Sequence, residues 1–148
     1  MIERIQYKTA STLIRLGNAV TYYRNIKLKS LGLTSVQGDA LRLILRSPGV
    51  TAPRLKQQLG LSQSTVAGIL ARLESKKLIR KDTDEGDARK VPLYPTEEGL
   101  LLDNNLKETA LKTQSYLTSG MTALEQAEFD RLLDIALNNM NAMRTGKE

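Results

Sequence analysis

The chain has 148 residues, a hydrophobic fraction of 41% and a net charge of +6, with no Cys and no His. This length suits one domain with a real core, and the missing residues exclude disulfides, thiolate chemistry and the commonest general base and metal ligand. The sequence has no phosphate-binding loop, no Rossmann glycine pattern and no metal-ligand cluster, so we expect no enzyme activity, no cofactor and no metal. A polar N-terminus and the lack of an apolar run of ~20 residues predict a cytoplasmic protein without membrane contact.

Positive charge is concentrated in the first two thirds of the chain. Residues 1–53 contain eight Lys/Arg and two acidic residues, residues 54–90 contain nine and five, and residues 91–148 contain five and nine. This distribution indicates a polyanionic partner for the first two segments. The solvated surface of an ordinary basic protein is the alternative.

Six helices are predicted, two of them in the first third of the chain. The first runs from residue 2 to about residue 29, and its apolar residues recur at helical spacing: Leu13, Leu16, Val20 and Tyr23. The second begins at Thr34, because Gln37 three residues later completes a capping box. Its expected buried face consists of Val36, Ala40, Leu41, Ile44 and Leu45.

A helix-turn-helix is predicted next. Thr51 caps a short third helix, and Ser62 caps a fourth helix that continues to about Lys76. Only Gly60 and Leu61 join the two, as in a helix-turn-helix. The expected buried stripe of the fourth helix consists of Val66, Ile69, Leu70 and Leu73.

A β-hairpin is predicted after the fourth helix. Its strands are Leu78 to Lys81 and Val91 to Tyr94, joined by an acidic turn at residues 84–87. Pro92 has no amide hydrogen, so its nitrogen should point away from the partner strand.

Two helices complete the chain, from Thr96 to about Thr118 and from Thr122 to about Met143. Both are apolar on more than one side, whereas a helix packed on one face of a monomer needs only a single stripe. The surplus predicts burial against a second subunit. A monomeric helical hairpin that closes the core is the alternative. The predicted fold class is mostly α with a small β-wing.

The outward face of the fourth helix carries small and polar residues, which would let the helix lie deep in a DNA groove. Gly68 costs about 1 kcal/mol relative to alanine in mid-helix, which indicates some benefit; close packing on another helix, or neutrality, is the alternative. Gln63 can pair with adenine, and Arg72 can reach a phosphate or a guanine. The predicted DNA contacts of this helix are Ser62, Gln63, Ser64, Thr65, Gly68 and Arg72.

The hairpin supplies further predicted DNA contacts: Lys81, Asp87, Arg89 and Lys90. Asp87 and Arg89 are two residues apart, so their side chains share one side of an extended segment. The carboxylate could then hold the guanidinium by bidentate pairing, in an orientation suited to a narrow minor groove. A surface salt bridge that contributes little is the alternative.

Three stretches form one recognisable pattern: Leu61–Val66, Arg72–Arg80, and Asp87–Arg89 followed by Tyr94–Gly99. This pattern resembles the MarR family of winged helix-turn-helix transcriptional regulators, and the resemblance covers almost the whole chain. The Asp-x-Arg wing followed by a Thr-x-x-Gly helix start is its most specific part. Pro92, inside the second predicted strand, departs from the family pattern and leaves the hairpin register open.

The resemblance implies a dimerisation helix in residues 1–33, a winged helix-turn-helix DNA-binding lobe in residues 34–95 and C-terminal dimerisation helices in residues 96–148. It implies a homodimer on a pseudo-palindromic operator in double-stranded DNA, with helix 62–76 in the major groove and Arg89 in the minor groove. It implies repression, or sometimes activation, and release of DNA by a small aromatic or anionic effector. The candidate effector-binding residues are Arg15, Tyr22 and Tyr23. A winged-helix module that binds protein without operator specificity is the alternative function.

Overall fold

The structure, a computed structural model, describes residues 6–82 and 90–144. Within these ranges it contains seven α-helices and two β-strands. In chain order they are α1 (Lys8–Leu28), α2 (Ser35–Arg46), α3 (Ala52–Leu59), α4 (Gln63–Ser75), β1 (Ile79–Lys81), β2 (Leu93–Pro95), α5 (Glu97–Leu101), α6 (Asp103–Leu117) and α7 (Ala123–Arg144). The predicted mostly α fold with a small β-wing is confirmed. The predicted start of the first helix, at residue 2, lies outside the described residues.

Polar contacts fix α1 against α2. Arg24 of α1 pairs through both terminal guanidinium nitrogens with the carboxylate of Asp39. The side chain of Asn25 accepts the backbone N–H of Ser35 at 2.7 Å, and Arg24 donates to the Ser35 carbonyl at 3.3 Å. Because several bonds join the two helices, α1 and the first turn of α2 hold one orientation.

The predicted buried face of α2 is correct at its centre and wrong at one edge. The capping box forms: Thr34 Oγ1 accepts the N–H of Gln37, and Gln37 Oε1 accepts the N–H of Thr34. Val36 is 39% exposed because it lies at the edge of the helical stripe, whereas Gln37 lies near its centre and is only 5% exposed. The apolar residues of α2 that enter the core are Ala40, Leu41 and Ile44, with Leu45 partly buried beside them.

Helices α3 and α4 form the predicted helix-turn-helix. Gly60 ends α3 in the left-handed conformation, with a φ of 66°. The Ser62 hydroxyl begins α4 by accepting the N–H of Thr65 at 3.2 Å. Thr51 precedes α3 as predicted, but its side chain makes no capping hydrogen bond. The buried residues of α4 are those predicted: Val66, Ile69, Leu70 and Leu73.

The wing is an antiparallel pair in which Arg80 lies opposite Tyr94. The second strand begins at Leu93 and not at Val91, because Leu93 pairs on its other side with Val50: its N–H donates to the Val50 carbonyl at 2.9 Å. Pro92 therefore precedes the strand, and its carbonyl accepts the N–H of Asp82 at 3.0 Å. The predicted turn at residues 84–87 lies outside the described residues.

The predicted helix from Thr96 to Thr118 is two helices, α5 and α6, so the prediction of six helices is corrected to seven within the described ranges. They meet at Leu102, whose N–H donates to the Gly99 carbonyl three residues earlier, at 3.1 Å. This tighter turn lets α5 stay close to the backbone that enters β1, where Thr96 donates its N–H to the Leu78 carbonyl at 3.0 Å. Periodicity alone shows a continuous apolar pattern here and does not reveal the break.

The chain divides into two compact units after Thr113. The second unit contains the end of α6 and all of α7. The predicted capping box at the start of α7 is confirmed, with Thr122 N to Glu125 Oε1 at 2.9 Å and Glu125 N to Thr122 Oγ1 at 3.1 Å. The backbone N–H of Thr122, and next its hydroxyl, lower the pKa of Glu125. The predicted functional division at residues 33 and 95 stays a prediction.

None of the described residues of α7 is buried. Its exposed large apolar side chains are Leu124, Leu132, Ile135, Leu137, Met140 and Met143. Among the described helices of the chain, none combines the length and the apolar character that a membrane span requires.

Candidate nucleic-acid interface

Helix α4 has one buried face and one face open to solvent. The buried stripe fixes the helix on the core, so the opposite side chains point outward. The exposed residues of α4 in its first two and a half turns are Gln63, Ser64, Thr65, Ala67, Gly68, Ala71 and Arg72. In the middle of this face no side chain is larger than a methyl group, so a large partner could approach the helix backbone closely.

Gly68 is not explained by packing within the described chain. A Cβ atom added at this position would have no atom within 4 Å, apart from the helix's own backbone. Close packing on another helix of the same chain is therefore excluded for the described residues. Glycine destabilises a helix relative to alanine, and no contact of Gly68 within the described residues compensates for this loss.

Hydroxyl groups at the start of α4 are used partly within the protein. The Ser62 hydroxyl lies 2.7 Å from that of Thr65 and 3.3 Å from that of Ser64. These bonds order the first helical turn, so in the free protein Ser62 caps the helix and the Thr65 hydroxyl is bonded to it. The side chains of Gln63 and Ser64 are exposed on the same turn. DNA contact by these residues stays a prediction.

A groove of about 470 Å³ lies between α3, α4 and the base of the wing. Gln63 and Ala67 line it from α4, and Lys81 lines it from β1. The structure thus brings together two of the predicted contacts, Gln63 and Lys81, which are eighteen positions apart in the sequence. The other lining residues are Ala52, Pro53, Lys56, Val66, Leu70, Val91 and Leu93.

Lys56 was not predicted from the sequence as part of this surface. It lies on α3, is exposed, and shares the groove with Lys81. The described lining contains these two lysines and no acidic residue. The excess of basic residues in segment 54–90 was the available signal, but it does not single out one lysine.

The wing base presents different cations on its two faces. Successive strand residues point to opposite sides, so Arg80 and Lys81 diverge. Arg80 stacks on the ring of Tyr94, with 4.6 Å between the guanidinium carbon and the ring centroid. Lys81 is thus the β1 cation that faces the groove beside α4.

The remaining predicted DNA contacts fall into two groups. Arg72 and Lys90 are exposed, and neither forms a salt bridge with another residue in the described ranges. Asp87 and Arg89 lie outside the described residues, so their predicted pairing stays a prediction.

The candidate effector-binding residues all lie on α1. Arg15 is exposed and Tyr22 is 71% exposed. Tyr23 is half-buried, with the Lys27 ammonium 5.6 Å from its ring centroid. None of these side chains lines the groove beside α4, and their role in effector binding stays a prediction.

Comparison with known proteins gives three consistent results. The family model described as MarR family matches residues 31–90. The helix-turn-helix transcriptional repressor Rv2887 of Mycobacterium tuberculosis is 24% identical over 122 residues, which are 82% of this chain and 88% of that protein. The crystal structure of the transcriptional regulator SlyA superimposes with a TM-score of 0.88 at 18% identity, covering 95% of this chain and 99% of that one.

A complex with DNA is among the similar structures. The Staphylococcus aureus MepR–DNA complex matches with a TM-score of 0.80 at 21% identity, over 91% of this chain and 98% of that one. The matched segment 31–90 contains the helix-turn-helix and β1 described above. The family match over residues 31–90, the named relative and the shared fold together make this chain similar to the transcriptional regulators of the MarR family.

Proposed function

We propose that this protein is a homodimer that binds one operator sequence specifically and represses transcription until a small molecule releases it. The observation that supports specific DNA binding best is the exposed small-residue face of α4 beside a groove whose described lining has two lysines and no carboxylate. An α-helix fits the major groove, and base edges there carry the sequence information. The protein would act where its DNA is, in the cytoplasm, and would need no catalytic step.

In this proposal one group of side chains contacts base edges and another group binds phosphates. Gln63 and Ser64, at the exposed N-terminal turn of α4, read base edges, and Gly68 lets the helix approach them. Arg72 contacts a phosphate or a guanine, and the cations of the wing contact phosphates. The proposed phosphate-binding residues are Lys56, Lys81 and Lys90, with Ser62 and Thr65 ordering the first turn of α4. The resemblance adds Arg89 in the minor groove, oriented by Asp87.

Exposed apolar side chains support the homodimer. Helix α1 exposes Leu13, Ile14, Tyr22 and Ile26, and α7 exposes six large apolar residues. Monomeric proteins rarely leave large apolar faces exposed to water. Burial of such faces between two copies of the chain would place two α4 helices on one duplex, about one helical turn or 34 Å apart.

Repression and release by an effector are the finer parts of the proposal. The name of the Mycobacterium tuberculosis relative supports repression. For release, we propose a small aromatic or anionic molecule bound near Arg15, Tyr22 and Tyr23, which offer one cation and two aromatic rings.

Gln63→Ala should change the base preference more than the overall affinity. A bidentate bond between glutamine and adenine contributes about 1–3 kcal/mol of discrimination, so we expect roughly a tenfold loss of preference at one base pair per half-site. The measurement is the affinity of wild type and variant for an operator selected from random duplexes and for its single-base-pair substitutions.

Gln58→Ala is the matched control, because Gln58 is an exposed glutamine on the neighbouring helix α3. The order of preference among the substituted operators should be unchanged in this control. An equal loss of affinity for every duplex in Gln63→Ala would contradict base reading and indicate a positioning contact instead.

A further inference from the structure

We propose that Lys76 is a positioning residue for DNA recognition, which acts by tying the end of α4 to the junction between α1 and α2. The inference rests on the proposed DNA binding and adds a determinant of operator geometry to it. Lys76 follows the last residue of α4, on the opposite end of the helix from Gln63. We infer that it acts through the orientation of α4 and not by touching DNA.

The ammonium group of Lys76 has two partners far away in the sequence. It donates to the backbone carbonyl of Gly32 and to Gln37 Oε1 at 3.0 Å. An ammonium group has three donors and no acceptor, so these two bonds use most of its capacity. Both acceptors are uncharged, and a charged donor makes such bonds stronger than a neutral one does.

Both acceptors belong to well-ordered local structure. Gly32 ends the short 3-10 helix that follows α1 (Lys29–Leu31) with a φ of 71°, and its N–H donates to the Lys29 carbonyl at 2.9 Å. Gln37 is 5% exposed and already takes part in the capping box of α2. Neither acceptor can follow a moving lysine without loss of its own bonds, so they form a fixed attachment point.

The backbone on the lysine side is equally constrained. The N–H of Lys76 donates to the Arg72 carbonyl at 3.0 Å, and that of Leu78 donates to the Leu73 carbonyl at 3.0 Å. Lys77 between them adopts a φ of 61°, which ends the helix sharply. The side chain of Lys76 therefore joins two rigid backbone segments.

The consequence concerns the direction in which α4 points. The Arg24–Asp39 ion pair joins α1 to α2, and Lys76 joins α4 to the same junction. Since α1 is one of the helices proposed for the dimer, the bonds of Lys76 fix the orientation of each α4 helix relative to the α4 helix of the partner subunit. Loss of the tie should let α4 change its tilt, which would weaken binding and relax the preferred spacing between half-sites.

The test compares wild type with Lys76→Met and Lys76→Arg on the selected operator, on duplexes with one or two base pairs added between the half-sites, and over a range of salt concentrations. We expect Lys76→Met to bind the operator about tenfold more weakly, because its charge-assisted hydrogen bonds are lost. The variant should also discriminate less between duplexes with different half-site spacings. The dependence of its affinity on salt concentration should be that of wild type. Lys76→Arg should restore affinity and spacing preference, because its guanidinium can donate to the same two oxygens. Circular dichroism melting checks that each variant folds; if Lys76→Met does not, Lys76→Gln replaces it and should give an intermediate effect.

Lys81→Met is the contrasting control, because Lys81 is a proposed phosphate contact. In this variant the salt slope, which is the slope of the logarithm of affinity against the logarithm of salt concentration, should fall in magnitude by about one. The same fall in Lys76→Met would overturn the inference and make Lys76 a direct phosphate ligand. Unchanged affinity and spacing preference in Lys76→Met would also overturn it. If the wild-type protein selects no sequence at all, the proposed function itself fails, which is a distinct result from a wild type that binds and a variant that binds equally well.

Discussion

Gly99→Ala should destabilise the fold by roughly 3 kcal/mol or more, an effect at the upper end for an added methylene in a packed site. A Cβ atom at Gly99 would overlap the carbonyl oxygen of Leu78 and lie 3.2 Å from its carbonyl carbon. The obstacle is backbone that cannot rotate aside, and that oxygen is already bonded to the N–H of Thr96 at 3.0 Å. Moving α5 away would also break the 2.6 Å bond from the Thr96 hydroxyl to the Lys77 carbonyl. Urea unfolding measures the free-energy change.

The matched control for Gly99→Ala is the same substitution at Gly68, where the added methyl group meets nothing. Opposite signs for the two free-energy changes are expected. Equal stability of Gly99→Ala and wild type would show that α5 does not approach the backbone before β1 as closely as described.

Gly68→Ala should stabilise the protein and weaken its binding to DNA. Alanine is favoured over glycine in a helix interior by about 1 kcal/mol, and this position has open space for the methyl group. In the proposed complex the same methyl group would stand between α4 and the base edges, so we expect roughly a tenfold loss of operator affinity, or about 1.4 kcal/mol. Urea unfolding and fluorescence anisotropy with labelled operator measure the two effects.

Gln58→Ala also serves as the control for stability alone. Gln58 is exposed on α3 and does not line the groove beside α4, and its replacement should raise helix propensity by no more than about 0.7 kcal/mol. Operator affinity should be unaffected in this control. A Gly68→Ala variant that is more stable and binds operator as tightly as wild type would contradict close approach of α4 to DNA.

Local patterns in the sequence were enough to predict most of the helical core. The buried stripe of α4 repeats at helical spacing, and the capping boxes at Thr34 and Thr122 depend on residues only three positions apart. Such features are decided within one or two turns of chain, so they can be recognised without knowing the fold.

Features that depend on distant residues could not be predicted in this way. The helix break at Leu102 follows from the approach of Gly99 to Leu78, and the later start of β2 follows from the pairing of Leu93 with Val50. No spacing rule relates these pairs. The exposure of Val36 has a local cause instead, because this residue lies at the edge of the helical stripe of α2.

The candidate site was predictable in composition but not in arrangement. The sequence indicates which side chains of α4 face outward, because periodicity assigns them. It does not indicate that Lys56 shares a groove with Lys81, or that Lys76 reaches Gly32, forty-four positions earlier. These contacts arise only when α3, α4 and the junction after α1 are packed together.

Selection of duplexes from a random library by the wild-type protein, followed by footprinting of the enriched sequence, tests the central claim most directly. We expect enrichment of two inverted half-sites whose centres lie about ten base pairs, or ~34 Å, apart, with both half-sites protected by one homodimer. Enrichment of no sequence, at a salt concentration low enough for phosphate contacts to form, would contradict specific recognition by α4 and the wing.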